Sequence, residues 1–324
     1  MDGNDPSRRD FLRLAAAVGL LGPVAAARPG DPVPLGEGYL RRGLVALADA
    51  HKRGWLQGHN GAAVLSSYYF CRENRLDERA TAALGRQIDA FIAKSPEEFP
   101  APDPGRGRAD PERIVERLSM QIDGLRAGGH DVIFASIALR ALKDLPEFAT
   151  PQVVDGICRL LELVARRAPE PDTAHNREHP LPPYASSRDI AHATLRATLR
   201  PWGDVRRVGA SGVIHWITHA DAVITLSDLG HDDLARRRHA AQRLHVNQAV
   251  TGDDLGEPDR APIEWRAAEY WESERPRRLF QDSWLAGHAF KLPYSLFRLL
   301  RRCDDDALAR KSLLRATHLQ VPFE

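Results

Sequence analysis

The chain has 324 residues, 43% of them hydrophobic and 27% charged, with 45 basic side chains against 44 acidic ones and a formal net charge of +1. That is the composition of a globular protein long enough for one large core, and it excludes fibrous and intrinsically disordered classes. A near-neutral balance provides no field to recruit nucleic acid or an anionic membrane surface, so neither is expected as a partner.

Taken in chain order, the first specific feature is SRRDFLR, Ser7 to Arg13, followed by the short apolar run LAAAVGLLGPVAAA. With Arg8-Arg9, Phe11-Leu12 and the small residues Ala25-Ala26-Ala27, the segment resembles a twin-arginine export signal. The apolar run is shorter than the roughly 20 residues that cross a bilayer, so no stable membrane anchor is expected. The resemblance implies a signal over residues 1–27 and a mature domain over 28–324, recognised by the twin-arginine translocation machinery and delivered to the periplasm or beyond the cell. Cargo of that route folds before it crosses, often around a metal or cofactor.

From there the apolar residues recur at three- and four-residue intervals. The segments are YLRRGLVALADAHKRGW, HNGAAVLSSYYFCREN, ERATAALGRQIDAFIAK, DPERIVERLSMQIDGLRAGG, HDVIFASIALRALKDL and TPQVVDGICRLLELVARR. Asp110-Pro111-Glu112 reads as a helix start and Gly128-Gly129 as a break between two helices. Alternating strand patterns are hard to find, which predicts an all-α fold. Irregular stretches rich in proline, glycine and acids (FPAPDPGRGRADP, APEPDTAHNREHPLPPYASS, TGDDLGEPDRAP) are loops with apolar helices on both sides, so a single large helical domain is expected, with two helical lobes as the alternative. Cys71, Cys158 and Cys303 are too far apart and too few for a disulfide framework or a metal knuckle and read as small hydrophobes.

Four segments share a small residue or turn, a histidine and then an apolar helix: GHNGAAVLSSYYF, GHDVIFASIALRAL, VIHWITHADAVITL and GHAFKLPYSLFRLL. Their leading histidines are His59, His130, His215 and His288. One histidine heading a helix is ordinarily structural, but four helices around a shared centre supply enough inward imidazoles for a metal site in a bundle core. His215 and His219 lie one turn apart on one helical face, so either reaches the same centre. HWITH lacks the glutamate of a zinc protease motif. Asp221, two residues past His219, points away and reads as an outer acceptor or a solvent-facing acid. His51, His175, His179, His231, His239 and His245 read as surface or outer residues, and His192 stays open because it too heads a helix.

Lys291, one turn after His288 on an otherwise apolar helix, is the residue most in need of explanation. A buried ammonium is costly unless it is paired or neutralised. Either the side chain snorkels to solvent, or it reacts with carbon dioxide to a carbamate, which removes the positive charge and supplies an oxygen ligand. Pro293 lacks the N–H that would bond the Ala289 carbonyl, which opens the turn beside both residues. Tyr68, Tyr69, Trp216, Trp265, Trp271 and Trp284 either wall a pocket for a flat aromatic substrate or pack the core.

The combination of GHNGAAVLSSYYF, GHDVIFASIALRAL, IHWITHADAVITL and GHAFK resembles the questin oxidase-like family. That resemblance implies an all-α enzyme with non-haem iron held by four histidines and a carboxylated lysine, here His59, His130, His215, His288 and Lys291, with His219 as the alternative to His215. Lys291 and His219 are the catalytic candidates. By ligand type alone the set suits Fe(II), Zn or Mn. The implied reaction is ring cleavage or Baeyer–Villiger-type oxygen insertion into an aromatic or quinone-like small molecule, with dioxygen as co-substrate. A zinc hydrolase using a carbamylated lysine and a non-catalytic exported helical protein are the alternatives.

Overall fold

The computed structural model describes residues 35–120, 124–174, 177, 181–200, 211–248, 263–274, 276 and 283–318. The expected export segment, residues 1–27, lies outside them, as do His175 and His179. Twelve α-helices make up the described fold: α1 Glu37–Asp49, α2 Gly58–Asn74, α3 Glu78–Lys94, α4 Glu112–Ser119, α5 His130–Asp144, α6 Pro151–Ala165, α7 Ser187–Thr198, α8 Ser211–Asp228, α9 Asp232–Gln242, α10 Ala268–Glu272, α11 Ser283–Leu300 and α12 Asp306–His318. Among the described residues there is no strand, and the helices form one domain around a continuous core.

Local chemistry sets the helix starts. The Asp77 carboxylate accepts from the Ala80 amide ahead of α3, Thr150 caps α6 with Pro151 in its first turn, and the Ser186 hydroxyl caps α7. Each satisfies an amide that the helix itself leaves free. The expected helix over 110–129 is shorter than the periodicity indicates: α4 ends at Ser119, and a short 3-10 turn at Ala127–Gly129 leads into α5.

Four helices carry the site. In cyclic order α2, α11, α8 and α5 pack each on the next. His59 is the second residue of α2, His130 the first of α5, His215 the fifth of α8 and His288 the sixth of α11. A little further along the same four helices, Ser66, Ser136, Thr218 and Lys291 line one internal chamber. Histidines at one level and chamber residues at the next mean that all four helices run in the same direction. The chain must therefore return to the histidine end between successive bundle helices, which accounts for the spacing of the histidines along the sequence. α11 runs on through Pro293. None of the described helices is long and apolar enough to cross a membrane.

Candidate metal centre

The histidine level is built by close backbone approach. A methyl group at Gly287 would stand 2.8 Å from the His59 Cβ, so glycine is what lets α11 lie directly on α2. Gly128 and Gly129 have φ of +63° and +79°, a left-handed turn that L side chains rarely adopt. That turn delivers His130 to the first position of α5 and passes so close to α8 that a methyl at Gly128 would lie 2.6 Å from the His215 Nδ1.

His59, His130, His215 and His288 converge so that one nitrogen from each lies within 4.8 Å of all the others. The His59 and His130 Nε2 atoms are 2.8 Å apart, as are those of His215 and His288. Ring centroids are 4.4 Å apart for His59–His130 and His130–His215, and 4.8 Å for His59–His288 and His215–His288. His59, His130 and His288 are buried, while His215 is partly exposed and marks the side nearest solvent.

Two tautomers follow from the acceptors. His59 Nδ1 donates to the Leu56 carbonyl at 2.7 Å, and His130 Nδ1 donates to the Ala127 carbonyl. A carbonyl only accepts, so in both neutral rings the proton is on Nδ1 and Nε2 carries a lone pair. Two lone pairs then face each other at 2.8 Å. Protonating either ring would relieve them, but burial first, and the nearby Lys291 second, hold both pKa values well below the usual histidine range. His215 and His288 belong to the same ring of imidazoles, and burial with its histidine neighbours depresses His215 likewise. A cation between the nitrogens resolves the repulsion. With metal–nitrogen bonds of roughly 2.0–2.1 Å, adjacent ligands lie roughly 3 Å apart and opposed ones roughly 4 Å, so the set fits one divalent ion with little adjustment.

Lys291 is 2% exposed, and its Nζ has no protein hydrogen-bond partner. Burial pushes its pKa down to about 7. It does not snorkel: the amine stays inside the bundle, 5.9 Å from the Phe134 ring centre. The buried, unpartnered amine is the state in which a lysine is nucleophilic at neutral pH.

His219 stands apart from the four. Its Nδ1 pairs with His245 Nε2 at 3.0 Å, its Nε2 is buried without a partner, and it packs against Gly129. Of the two histidines in HWITH, His215 is therefore the one in the cluster. His239 and His245, expected at the surface, are 4% and 2% exposed. The correction has a physical source in Arg238, which is drawn inward by a 2.9 Å ion pair to buried Asp131 and carries α9 against the core. Asp221 is not solvent-facing and lies outside the histidine cluster; it is buried, with Arg298 at 2.5 Å and Ser295 at 2.9 Å. His192 pairs with Asp304 at 2.6 Å on the outside of the bundle, and His51 bonds its own helix end at the Ala48 carbonyl.

The expected aromatic wall is mostly core. Trp271 stacks on Phe290, Trp216 donates to the Thr194 carbonyl, and Tyr69 donates to Asp144. Trp265 and Tyr68 are also buried, and the Trp284 side chain lies outside the described residues. The aromatic rings actually beside the cluster are Trp55, 5.1 Å from His130, and Phe134, 5.7 Å from His59. Trp55 is only partly buried. Its position four residues before His59 was the available signal, hidden by a loop-like GW context.

The chain matches no protein-family model, no curated protein and no solved structure.

Proposed function

We propose that this chain is a metal-dependent oxygenase of the questin oxidase-like kind, acting on an aromatic or quinone-like small molecule by ring cleavage or Baeyer–Villiger-type oxygen insertion. The observation that carries the reading is the pair of Nε2 lone pairs of His59 and His130 facing at 2.8 Å in surroundings that oppose protonation. His59, His130, His215 and His288 would hold one iron(II) ion, which when bound supplies redox chemistry with dioxygen as co-substrate.

Lys291 supplies the anionic ligand as a carbamate. The amine lone pair adds to the carbon of carbon dioxide, a C=O π pair becomes a carboxylate lone pair, and one proton leaves the nitrogen to water. Buried Lys291, lacking any protein partner, is suited to that step. Trp55, only partly buried and 5.1 Å from His130, gives the cluster an aromatic border against which a flat ring stacks, with Phe134 buried behind it beside His59. His219, held by His245, is a polar group one turn from His215 that does not compete for the metal.

Protein purified from an export-competent host is expected to contain about one iron per chain and to consume oxygen with a quinone-like substrate. Zinc without oxygen uptake would make the protein a hydrolase, and the absence of any metal would remove the proposal. Export through the twin-arginine route predicts that Arg8→Lys with Arg9→Lys leaves unprocessed protein in the cytoplasm; normal processing of that variant would exclude the route.

A further inference from the structure

One layer below the histidines, on the axis of the α2, α5, α8 and α11 ring, lies a chamber of about 20 Å³. A water molecule needs roughly 10–15 Å³ of such space, so the chamber takes one water and at most two. Its wall includes Ser66, Ser136, Thr218, Asp221 and Ser295, all at most 3% exposed, together with Lys291. Three of the hydroxyls have already used their single proton. Ser136 donates to the Ile133 carbonyl at 3.2 Å, Thr218 to the His215 carbonyl at 3.4 Å, and Ser295 to the Asp221 carboxylate at 2.9 Å. Each of these oxygens keeps only lone pairs for a further partner. The Asp221 carboxylate adds acceptor character, and Lys291 is a donor with no protein partner.

This imbalance decides what the chamber accepts. A water can donate to these hydroxyl oxygens and accept from the lysine amine, which satisfies both sides. A carboxylate is larger than the one or two waters that about 20 Å³ can take, and its oxygens would face the committed serine and threonine hydroxyls as lone pair against lone pair in a buried place.

We propose that the chamber is a water site built for the unmodified amine of Lys291, holding the amine back from the histidine level until a carboxyl group is added. Resting on the reading of Lys291 as a carbamate ligand, this makes the side chain a two-position device. The free amine is hydrated in the chamber; the carbamate, which the chamber excludes, turns toward the histidines. Loading of the metal then depends on the carbon dioxide and bicarbonate level, and the residues that set the dependence are Ser136 and Thr218, which need not touch the metal.

The test compares wild type with Thr218→Val, which removes one acceptor at constant shape, and Ser136→Val, which removes another and fills space. Metal content and the carbon-13 signal of the carbamate are measured against labelled bicarbonate concentration, with circular dichroism to confirm folding. Weakening the hydrated state should lower the bicarbonate concentration for half-maximal loading by about fivefold, the worth of one neutral hydrogen bond. A carbamate that forms with the same midpoint in both folded variants overturns the role of the chamber alone, and so does a midpoint that rises. A wild type that never forms a carbamate overturns the ligand role of Lys291 and the two-position device with it. A high-resolution crystal structure of bicarbonate-free protein gives the direct check: a water bonded to Lys291 Nζ in the chamber is expected, and a dry chamber refutes the proposal.

Discussion

Gly287→Ala tests whether close helix approach builds the site. The added methyl group would stand 2.8 Å from the His59 Cβ and 3.0 Å from its carbonyl oxygen. Carbon atoms settle at about 3.5–4.0 Å, so α11 and α2 must part by roughly 0.7 Å or more. Overpacking of this kind costs about 1–3 kcal/mol, which for a domain of this size lowers the melting temperature by roughly 2–5 °C. The effect on metal should be larger than the effect on folding. His59 and His288, with ring centroids 4.8 Å apart, sit on the two helices being separated, and metal sites tolerate errors of only about 0.2 Å in ligand distance. Melting curves of the metal-free protein and metal content by mass spectrometry give the two readouts. Gly38→Ala is the control, because nothing lies within 4 Å of a methyl group there; in α1 it should be neutral or stabilise by up to about 1 kcal/mol. A Gly287→Ala protein that melts with wild type and keeps its metal would refute the reasoning.

Alanine at His59, His130, His215 or His288 should each lower metal content several-fold, whereas His192→Ala, which loses only its Asp304 contact, should not; full occupancy in three of the four site variants would dismiss the convergence as structural. Lys291→Glu should retain part of the metal and Lys291→Arg should lose it, because arginine keeps its charge; equal loss in both would count against an anionic ligand at this position. Stability of the metal-free protein should fall as pH drops below about 6.5, the ordinary histidine value. The sign follows from His245, whose pKa burial lowers to about 3: between those pH values the unfolded chain binds a proton that the folded chain refuses. Each such histidine contributes a slope of up to about 1.4 kcal/mol per pH unit, and urea midpoints of His245→Gln against pH should show a shallower slope; an unchanged slope would mean that His245 titrates normally in the fold.

The four histidines were legible because each precedes an apolar helical run, although His215 and His288 lie a turn inside their helices rather than at the start, and three follow a glycine whose reason is now visible. Gly58 faces the Phe134 ring, Gly129 takes a left-handed turn, and Gly287 lies on His59. Helix periodicity likewise located α3, residue for residue, and α5 and α6 within a residue or two of their ends. What misled was charge counting. DDLARRRHAAQRLH reads as a solvated basic run, yet Arg238 meets Asp131 more than a hundred residues earlier, and that pairing buries His239 and His245. Asp221, expected to point away from His219, lies outside the histidine cluster, and its partner Arg298 is 77 positions later, beyond any local pattern. Local spacing settles which residues share a helix face; it does not settle which faces meet.

Those two arginines also bear on the charge of the site. Asp131 adjoins His130 and Asp221 lies two residues past His219, so either carboxylate stands near enough in sequence to have served as a ligand. Each is instead neutralised by an arginine, Asp131 by Arg238 and Asp221 by Arg298. The remaining donor set is four imidazoles, with no acid among them, and burial keeps His59, His130 and His215 uncharged. Two of the helices, α2 and α5, begin at this level, and their N-terminal ends add positive potential. A divalent ion in such a place would face an ammonium at Lys291 with no negative charge to offset it. Converting that ammonium to a carbamate changes the local charge by two units, from positive to negative, without altering any backbone position. On the proposed reading the lysine is the residue at which this site acquires its anion, since the carboxylates nearest in sequence are already committed to ion pairs with Arg238 and Arg298.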